Sequence, residues 1–334
     1  MHKLFVNHCT LDLTIIPDGP ILIKSGREGA DPTKPQMEFV ETFHNGRPTI
    51  YLPGSSLKGA IRAHAERIVR TVGDDKKPSE SDSKLIWASN PLDEKTIKAQ
   101  EEFKKKLPAD EIYKIYQESS FTDQIFGNVA IASRLRIEDA YPDTSVPVKI
   151  EERNGVAIDR VFGSVAHGPF DYQVCTSGAF KTKIHLKNFS LAQLGLIALV
   201  LRDLDAGWFG IGFAKSRGLG IVRLEYNSAV VQYPGCILRD KQVYPFGSLT
   251  PWDKIYLLGA GEFLRGDNAN PYNFPTNDQE KQEVKDILLT AMDFNFGVQL
   301  RWQGDGKNGV PDLFTKAVAA WSKLLQTGGA VCAS

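Results

Sequence analysis

The chain has 334 residues, which is enough for one elaborated domain or two with a sizeable hydrophobic core. Its 40 basic and 40 acidic residues give a formal net charge of zero. This balance argues against a free-standing nucleic-acid-binding protein, which is usually basic, but it permits a locally positive groove. The four cysteines lack zinc-ligand spacing and predict free thiols in a reducing cytosol. The sequence shows neither a signal peptide nor an apolar run long enough to span a membrane, so we expect a cytoplasmic protein.

The first part of the chain alternates short strands with turns until a long helix begins. Residues 3–16 alternate well enough to predict a first strand, and residues 21–23 predict a second. Between residues 25 and 35, glycine and proline make regular structure improbable. Two extended segments, at 39–43 and 48–52, then lead into the helix.

The segment at residues 50–62 reads IYLPGSSLKGAIR and predicts a strand end, a tight turn and the start of that helix. Pro53 and Gly54 break the strand, and Ser55 or Ser56 is expected to cap the helix. Apolar residues at helical spacing predict a buried stripe, which consists of Leu57, Ile61, His64 or Ala65, Ile68 and Val72.

Basic side chains, among them Lys58 and Arg62, lie mostly off that stripe. A helix N-terminus with free amides, two hydroxyl groups and a nearby lysine suits a phosphate group. The alternative is an ordinary amphipathic helix with a basic surface, and the spacing of a nucleotide-triphosphate loop is absent.

Residues 73–120 differ in composition from the segments around them. Residues 73–83 form a polar linker, and residues 93–118 are helical in pattern and highly charged, with a break at Pro108. We interpret the whole segment as an insertion. Its lysine run at 104–106 either contacts nucleic acid or, as is commoner for a charge run, forms a solvated surface.

A strand and a hairpin are predicted after the insertion. The alternation around Leu135 and Ile137 predicts a strand that places Arg134 and Arg136 together on an exposed face. For residues 158–180, a β-hairpin is what the family resemblance given below implies.

The predicted hairpin has His167-Gly168-Pro169 at its tip. Its aromatic residues Phe170 and Tyr172 either stack on nucleic-acid bases or both belong to the core, and the sequence leaves both interpretations open. Arg160, near the start of the hairpin, is a candidate phosphate contact.

A glycine-rich loop follows a second apolar helix, which spans residues 190–203 and begins after Ser190 as its cap. Glycines in this loop allow backbone amides to approach phosphates closely, and two basic side chains supply charge. The candidate residues of the loop are Gly212, Lys215, Arg217, Gly218 and Gly220.

The last hundred residues carry weaker patterns. Short strands are indicated at 243–246 and 255–258, and helices at 279–292 and 312–325.

Four motifs in this chain, one of which has two separate parts, resemble the signatures of one protein family. They are YLPGSSLKGAIR at 51–62, ASRLRIEDA at 132–140, the pair IDR at 158–160 and GAF at 178–180, and GIGFAKSRGLGIV at 210–222. By these strings the chain resembles the RAMP superfamily, which provides the backbone subunits of type III CRISPR effector complexes.

The resemblance covers about residues 10–225, interrupted by the insertion. It implies an α+β fold with a ferredoxin-like, RRM-like core, a thumb β-hairpin, an inserted helical segment and a C-terminal extension. The expected core comprises residues 1–72 and 121–235, with the thumb at about 158–180. Residues 73–120 are the insertion, and residues 236–334 are an extension that packs on the core or on a neighbouring subunit.

The resemblance also implies partners and a mode of RNA binding. The expected partners are CRISPR RNA, target RNA, other RAMP subunits and the large subunit of the complex, with no membrane involved. The thumb would wedge into the guide–target duplex, and subunits would stack head to tail along the RNA. The RNA-binding residues implied here are Ser55, Ser56, Lys58, Arg62, Arg134, Arg160, Phe170, Tyr172, Gly212, Lys215, Arg217, Gly218 and Gly220.

In cleaving members of the family, a loop before the long helix carries an aspartate needed for metal-dependent cleavage of target RNA. Asp31 matches that aspartate by placement. It would hold Mg²⁺ or Mn²⁺, which offsets charge that builds on the phosphate. The alternatives are that Asp31-Pro32 is only a turn, or that Glu28 in the same loop carries the chemistry.

Three functions therefore stay open at the level of sequence. The first is a CRISPR RNA-binding backbone subunit that cleaves complementary target RNA with a metal ion. The second is a non-catalytic, structural RNA-binding subunit. The third is a CRISPR RNA-processing endoribonuclease with a histidine base. Its candidates are His44, His64 and His167, of which His64 falls in the predicted buried stripe.

Overall fold

The computed structural model describes residues 4–26, 35–78, 86–264, 270–275 and 279–327. Its main element is a seven-stranded antiparallel sheet, in which the long strand β1 (His8–Pro17) is central. Across the sheet the order is β14 (Leu288–Ala291), β15 (Val298–Gln303), β9 (Val222–Tyr233), β1, β8 (Phe180–Lys187) and β4 (Leu135–Ile137), and the short β5 (Tyr141–Pro142) also pairs with β8.

Four two-stranded hairpins or pairs stand apart from the main sheet. They are β2 (Glu41–His44) with β3 (Arg47–Ile50), β6 (Lys149–Ile158) with β7 (Val165–Ser177), β10 (Cys236–Arg239) with β11 (Gln242–Pro245), and β12 (Tyr256–Leu258) with β13 (Lys281–Glu283). The α-helices within the described ranges are α1 (Gly54–Val72), α2 (Glu94–Lys106), α3 (Tyr113–Glu118), α4 (Phe121–Phe126), α5 (Leu191–Asp205) and α6 (Val310–Thr327).

Three long helices, α1, α5 and α6, pack against one face of the sheet. Leu13 of β1, Leu57 of α1 and Leu313 of α6 belong to one hydrophobic core. Burying each such side chain stabilises the fold by about 1.5–3 kcal/mol. Most of α5 is buried, and its start is fixed by a capping box between Ser190 and Gln193. Helices on one face of an antiparallel sheet confirm the predicted α+β class.

Helix α1 begins differently from the sequence expectation. Pro53 is the N-cap residue, and no side chain of its own segment caps the helix. The Gly54 amide instead donates to the Asp139 carboxylate at 2.7 Å. The predicted cap by Ser55 or Ser56 is therefore wrong, because the Gly54 amide is bonded to a carboxylate 85 residues away in the chain.

A fully buried carboxylate, that of Asp123 on α4, joins the insertion to the core. It accepts hydrogen bonds from Arg62 of α1 at 2.8 Å and from the Ser89 hydroxyl at 2.6 Å. Gln100 of the inserted helix α2 donates to the same carboxylate at 3.3 Å. A charge without solvent is stable only when it is paired in this way.

Two further expectations fail in the second half of the chain. Residues 279–292 are not helical, because β13 and β14 pair there with β12 and β15. The predicted helix at 312–325 is confirmed as α6. The hairpin tip is at residues 159–164 rather than at His167-Gly168-Pro169. The Asp159 carboxylate accepts from the Val161 and Phe162 amides and so closes the turn there.

We predict that Asp123→Ala lowers the free energy of unfolding by about 2–4 kcal/mol, because it removes the acceptor from a buried arginine, a serine and a glutamine. Urea unfolding followed by circular dichroism measures the loss. Glu94→Ala removes an exposed carboxylate that lies 3.9 Å from Lys98, and it should leave the unfolding midpoint unchanged. Equal effects of the two variants would contradict the role of the buried carboxylate.

Candidate nucleic-acid interface

On the face of the sheet opposite the helices, strand β8 carries a row of basic side chains. Along β8, the side chains that point to this face alternate with buried ones, and they are Lys181, Lys183, His185 and Lys187. Arg136 of β4 lies opposite His185 in the register, and His8 of β1 lies opposite Lys187. The sheet thus presents a positive edge without a positive net charge on the chain.

A cavity of about 640 Å³ lies where this basic edge meets the start of α1. Residues from the N-terminal segment, α1, β4 and β8 line it. They are Phe5, His8, Gly54, Ser55, Lys58, Ser133, Arg134, Leu135, Arg136, Ile137, His185 and Lys187.

Two histidines stack inside this cavity, with ring centroids 5.5 Å apart. Nδ1 of His8 lies 3.1 Å from Oε1 of Gln232, while both ring nitrogens of His185 are engaged by Thr10 and Glu138. Burial lowers the pKa of His8, and nearby positive groups lower it further. Burial therefore disfavours a positive charge on the His8 ring.

Lys58 points across the same cavity from the first turn of α1. Its ammonium group donates to the Ser133 hydroxyl at 2.7 Å. Partial burial, followed by the charge of Arg62, lowers the pKa of Lys58. Lys58, Ser55 and Arg134 are the members of the predicted RNA-binding set that line this cavity.

The predicted exposure of Arg134 is wrong, although the residue is one of those that line the cavity. The guanidinium is buried 4.0 Å from the ring centroid of Tyr116 and 5.3 Å from that of Phe274, and it donates to the Asn188 carbonyl. Burial lowers the pKa of Arg134. Its neighbour Arg136 is exposed and forms an ion pair of 3.1 Å with Glu138.

Arg62 is also turned inward. It donates to the carboxylates of Glu66 and Asp123 and to the Gly127 carbonyl, each at 2.8 Å. The side chain is 18% exposed, so its charge is compensated within the protein. Ser56 is half-buried on the same helix and does not line the cavity.

The β6–β7 hairpin carries three predicted residues away from this cavity. Arg160 is exposed in the turn. The ring of Phe170 lies against Gly155 of the opposite strand, and Tyr172 packs on the hydrophobic core. Phe162, in the turn of this hairpin, is 85% exposed.

The glycine-rich loop is fixed to the chain segment that follows β1. The Gly220 amide donates to the Pro20 carbonyl, and the Phe213 amide donates to the Leu22 carbonyl. These contacts bury Gly220, so its amide does not face a ligand. Lys215 and Arg217 are exposed at the tip of the loop.

The remaining predicted glycines differ in their surroundings. Gly212 and Gly218 both have positive φ angles, of 78° and 82°. A side chain at Gly212 would collide with the Leu22 carbonyl, whereas Gly218 has open space around it. Gly218 is therefore the glycine of this set that a phosphate can approach most closely.

Asp31 and Glu28 lie outside the described residues. The ends of their loop are nevertheless placed: the Ser25 amide donates to the Glu38 carbonyl at 3.2 Å, and Met37 bridges to Tyr172 of the hairpin. Within the described ranges, no group of three or more His, Cys, Asp or Glu side chains is arranged to hold a metal ion.

The candidate histidine bases have structural partners. His64 is buried, lies 2.7 Å from an oxygen of Asp203 and stacks on Phe209. His44 stacks on Tyr141 with ring centroids 3.8 Å apart. His167 is exposed within β7.

Sequence reasoning missed His8, His185 and Lys187, which form much of the cavity wall. A signal was present in the alternation of FKTKIHLK at 180–187, where every second residue is basic. This pattern predicts a strand with one apolar and one basic face.

The geometry defines an α+β protein with a basic groove at one edge of its open sheet face. A family model described as the RAMP superfamily matches residues 14–223, more than half of the chain. The chain therefore belongs to the RAMP superfamily, and this membership is consistent with a CRISPR-associated, RNA-binding subunit. A search of curated proteins gives no significant match. In the part of the chain that is described, every helix is too short or too polar to cross a membrane.

We predict that Gly220→Ala destabilises the fold more than Gly218→Ala does. Both glycines have positive φ, which costs a side-chain-bearing residue about 1–2 kcal/mol. A β-carbon at Gly220 would in addition collide with the Ile211 carbonyl, whereas one at Gly218 meets no atom within 4 Å. The melting temperatures of the two variants are compared by thermal unfolding. An equal decrease in both would contradict the packing described for this loop.

Proposed function

We propose that the chain is an RNA-binding backbone subunit of a type III CRISPR effector ribonucleoprotein in the cytoplasm. The observation that carries the proposal is the cavity in which Lys58 and Ser55 of α1 face Arg136 and Lys187 of the open sheet. Family membership supports the same assignment.

In this proposal the cavity holds the sugar–phosphate backbone of CRISPR RNA. Arg136 and Lys187 are basic side chains that are exposed on the sheet, where phosphate groups can reach them. The serine hydroxyl and the Lys58 ammonium add short-range donors. Contacts of this kind position RNA without reading its sequence, which is sufficient because base pairing with the guide selects the target.

Neighbouring subunits are proposed to stack head to tail along the RNA, as a heterologous contact that forms a filament. The zero net charge is compatible with this arrangement, because acidic surfaces of one subunit can meet basic surfaces of the next. The β6–β7 hairpin is proposed to act as the thumb. Its exposed Val161 and Phe162 suit a wedge between bases.

We predict that Arg136→Ala combined with Lys187→Ala weakens binding of single-stranded RNA about tenfold at low salt. The slope of log affinity against log salt should also become shallower by about 0.7 for each phosphate that the variant no longer neutralises. Fluorescence anisotropy over a salt series measures both quantities.

The matched control combines Arg67→Ala on α1 with Lys307→Ala in the turn before α6, since both residues are exposed and neither lines the cavity. Unchanged RNA binding by the Arg136/Lys187 variant would refute the proposed interface. An equal loss of RNA affinity in the Arg67/Lys307 control would refute it as well.

A cleavage activity at Asp31 is proposed as a property of the same subunit. The observation that favours it is the position of the loop ends, which are bonded beside the hairpin at Met37 and beside the glycine-rich loop at Leu22. A target strand held by those two elements would pass close to the loop.

We predict that Asp31→Ala abolishes one magnesium-dependent cut in a complementary target RNA while RNA binding is retained. The measurement uses the assembled complex with guide RNA and labelled target, with magnesium or with chelator. Glu28→Ala is the control within the same loop. An unchanged cut pattern in the Asp31 variant would make this subunit a scaffold, and loss of the cut only in the Glu28 variant would assign the chemistry to that residue.

A further inference from the structure

A second cavity, of about 560 Å³, lies between the N-terminal segment and the C-terminal extension. Its walls are mainly apolar and include five aromatic side chains, one acidic side chain and one basic side chain. The aromatic side chains are Phe5, Phe246, Trp252, Tyr256 and Phe263, and the basic one is Lys281. This volume and this mixture of apolar walls with few polar groups are typical of a site for a small ligand.

The aromatic walls of this cavity are held in place by a buried tyrosine of the sheet. Tyr233 of β9 is fully buried, and its hydroxyl accepts a hydrogen bond from the Leu258 amide at 2.7 Å. Its ring centroid lies 5.7 Å from that of Trp252 and 5.4 Å from that of Phe263. A site that is already ordered loses little conformational entropy when a ligand binds.

One side chain connects this cavity to the basic groove. Phe5 lines both cavities. Its ring centroid lies 5.7 Å from that of His8, which in turn stacks on His185 at 5.5 Å. A continuous row of rings therefore leads from the basic groove to the aromatic cavity.

We propose that this aromatic cavity binds a nucleobase of the RNA whose backbone lies in the basic groove, so the inference rests on the proposed RNA binding. A planar base stacks on aromatic side chains whatever its identity. The Lys281 ammonium, 3.8 Å from the ring centroid of Tyr256, lies where it can donate to a base or phosphate oxygen. Continuity with the basic groove favours RNA over an apolar segment of a neighbouring subunit.

The site is tested with the full-length chain and a single-stranded RNA about 16 nucleotides long. Phe5→Ala combined with Phe246→Ala should weaken binding about tenfold, since stacking on two aromatic walls is removed. Both residues are more than half exposed, so the fold is expected to tolerate the change. Phe294→Ala is the matched control, because Phe294 is fully exposed in the same extension and does not line the cavity.

A scan with one abasic nucleotide locates the bound base. Removal of the base at one position should weaken binding to the wild-type protein about tenfold. The same abasic RNA should bind the Phe5/Phe246 variant no more weakly than intact RNA does, because both changes remove the same stacking interaction. RNA should also quench the fluorescence of Trp252, and Trp252→Phe should remove that part of the quenching.

The outcomes separate the two proposals. If RNA binds with the salt dependence of the basic groove, but the Phe5/Phe246 variant and the abasic scan show no effect, the nucleobase site is wrong and the proposed function stands. If wild type binds no RNA at all, both proposals fall. If Trp252 responds only when a second protein subunit is added, the cavity is a protein-docking site and this inference is overturned.

Discussion

The register of β1 against β8 is the constraint on which the rest of the structure depends. Leu11 and Leu13 point into the core on one face, and the same alternation on β8 buries Ile184 and Leu186. A slip of one residue would place the lysines of β8 in the core and its apolar residues in solvent. The burial that stabilises the sheet therefore also forces a row of basic side chains onto its open face. The alternation of apolar and basic residues on β8 thus determines both the packing of the sheet and the position of the candidate interface.

The chain has no net charge, but it has a basic groove because some of its basic side chains are buried and others are exposed. Arg62 is neutralised by buried carboxylates on α1 and α4, and Arg134 is enclosed between aromatic rings. Both stabilise the fold and are removed from solvent. Arg136 and Lys187 remain exposed on the sheet, where they are accessible to the proposed RNA. The position of each basic residue in the fold, rather than the number of basic residues, decides where an anion can bind.

The parts of this structure that could be predicted from the sequence depend on local periodicity. The helical spacing around Leu57 and the apolar run after Ser190 predicted α1 and α5, because one side of each helix had to be buried. The burial of Arg134 could not be predicted, since its partners Tyr116 and Phe274 come from the insertion and the C-terminal extension. The cap of α1 depends in the same way on Asp139, a residue distant in sequence. Long-range contacts of this kind override local propensity.

Lysine footprinting tests the central claim, that RNA lies on the open face of the sheet, most directly. The chain is treated with an amine-reactive reagent with and without RNA, and modification is read by mass spectrometry. We expect RNA to protect Lys183 and Lys187, while Lys307, in the turn before α6, reacts as before. Protection of Lys307 with continued reaction at Lys183 and Lys187 would place the RNA elsewhere and contradict this claim.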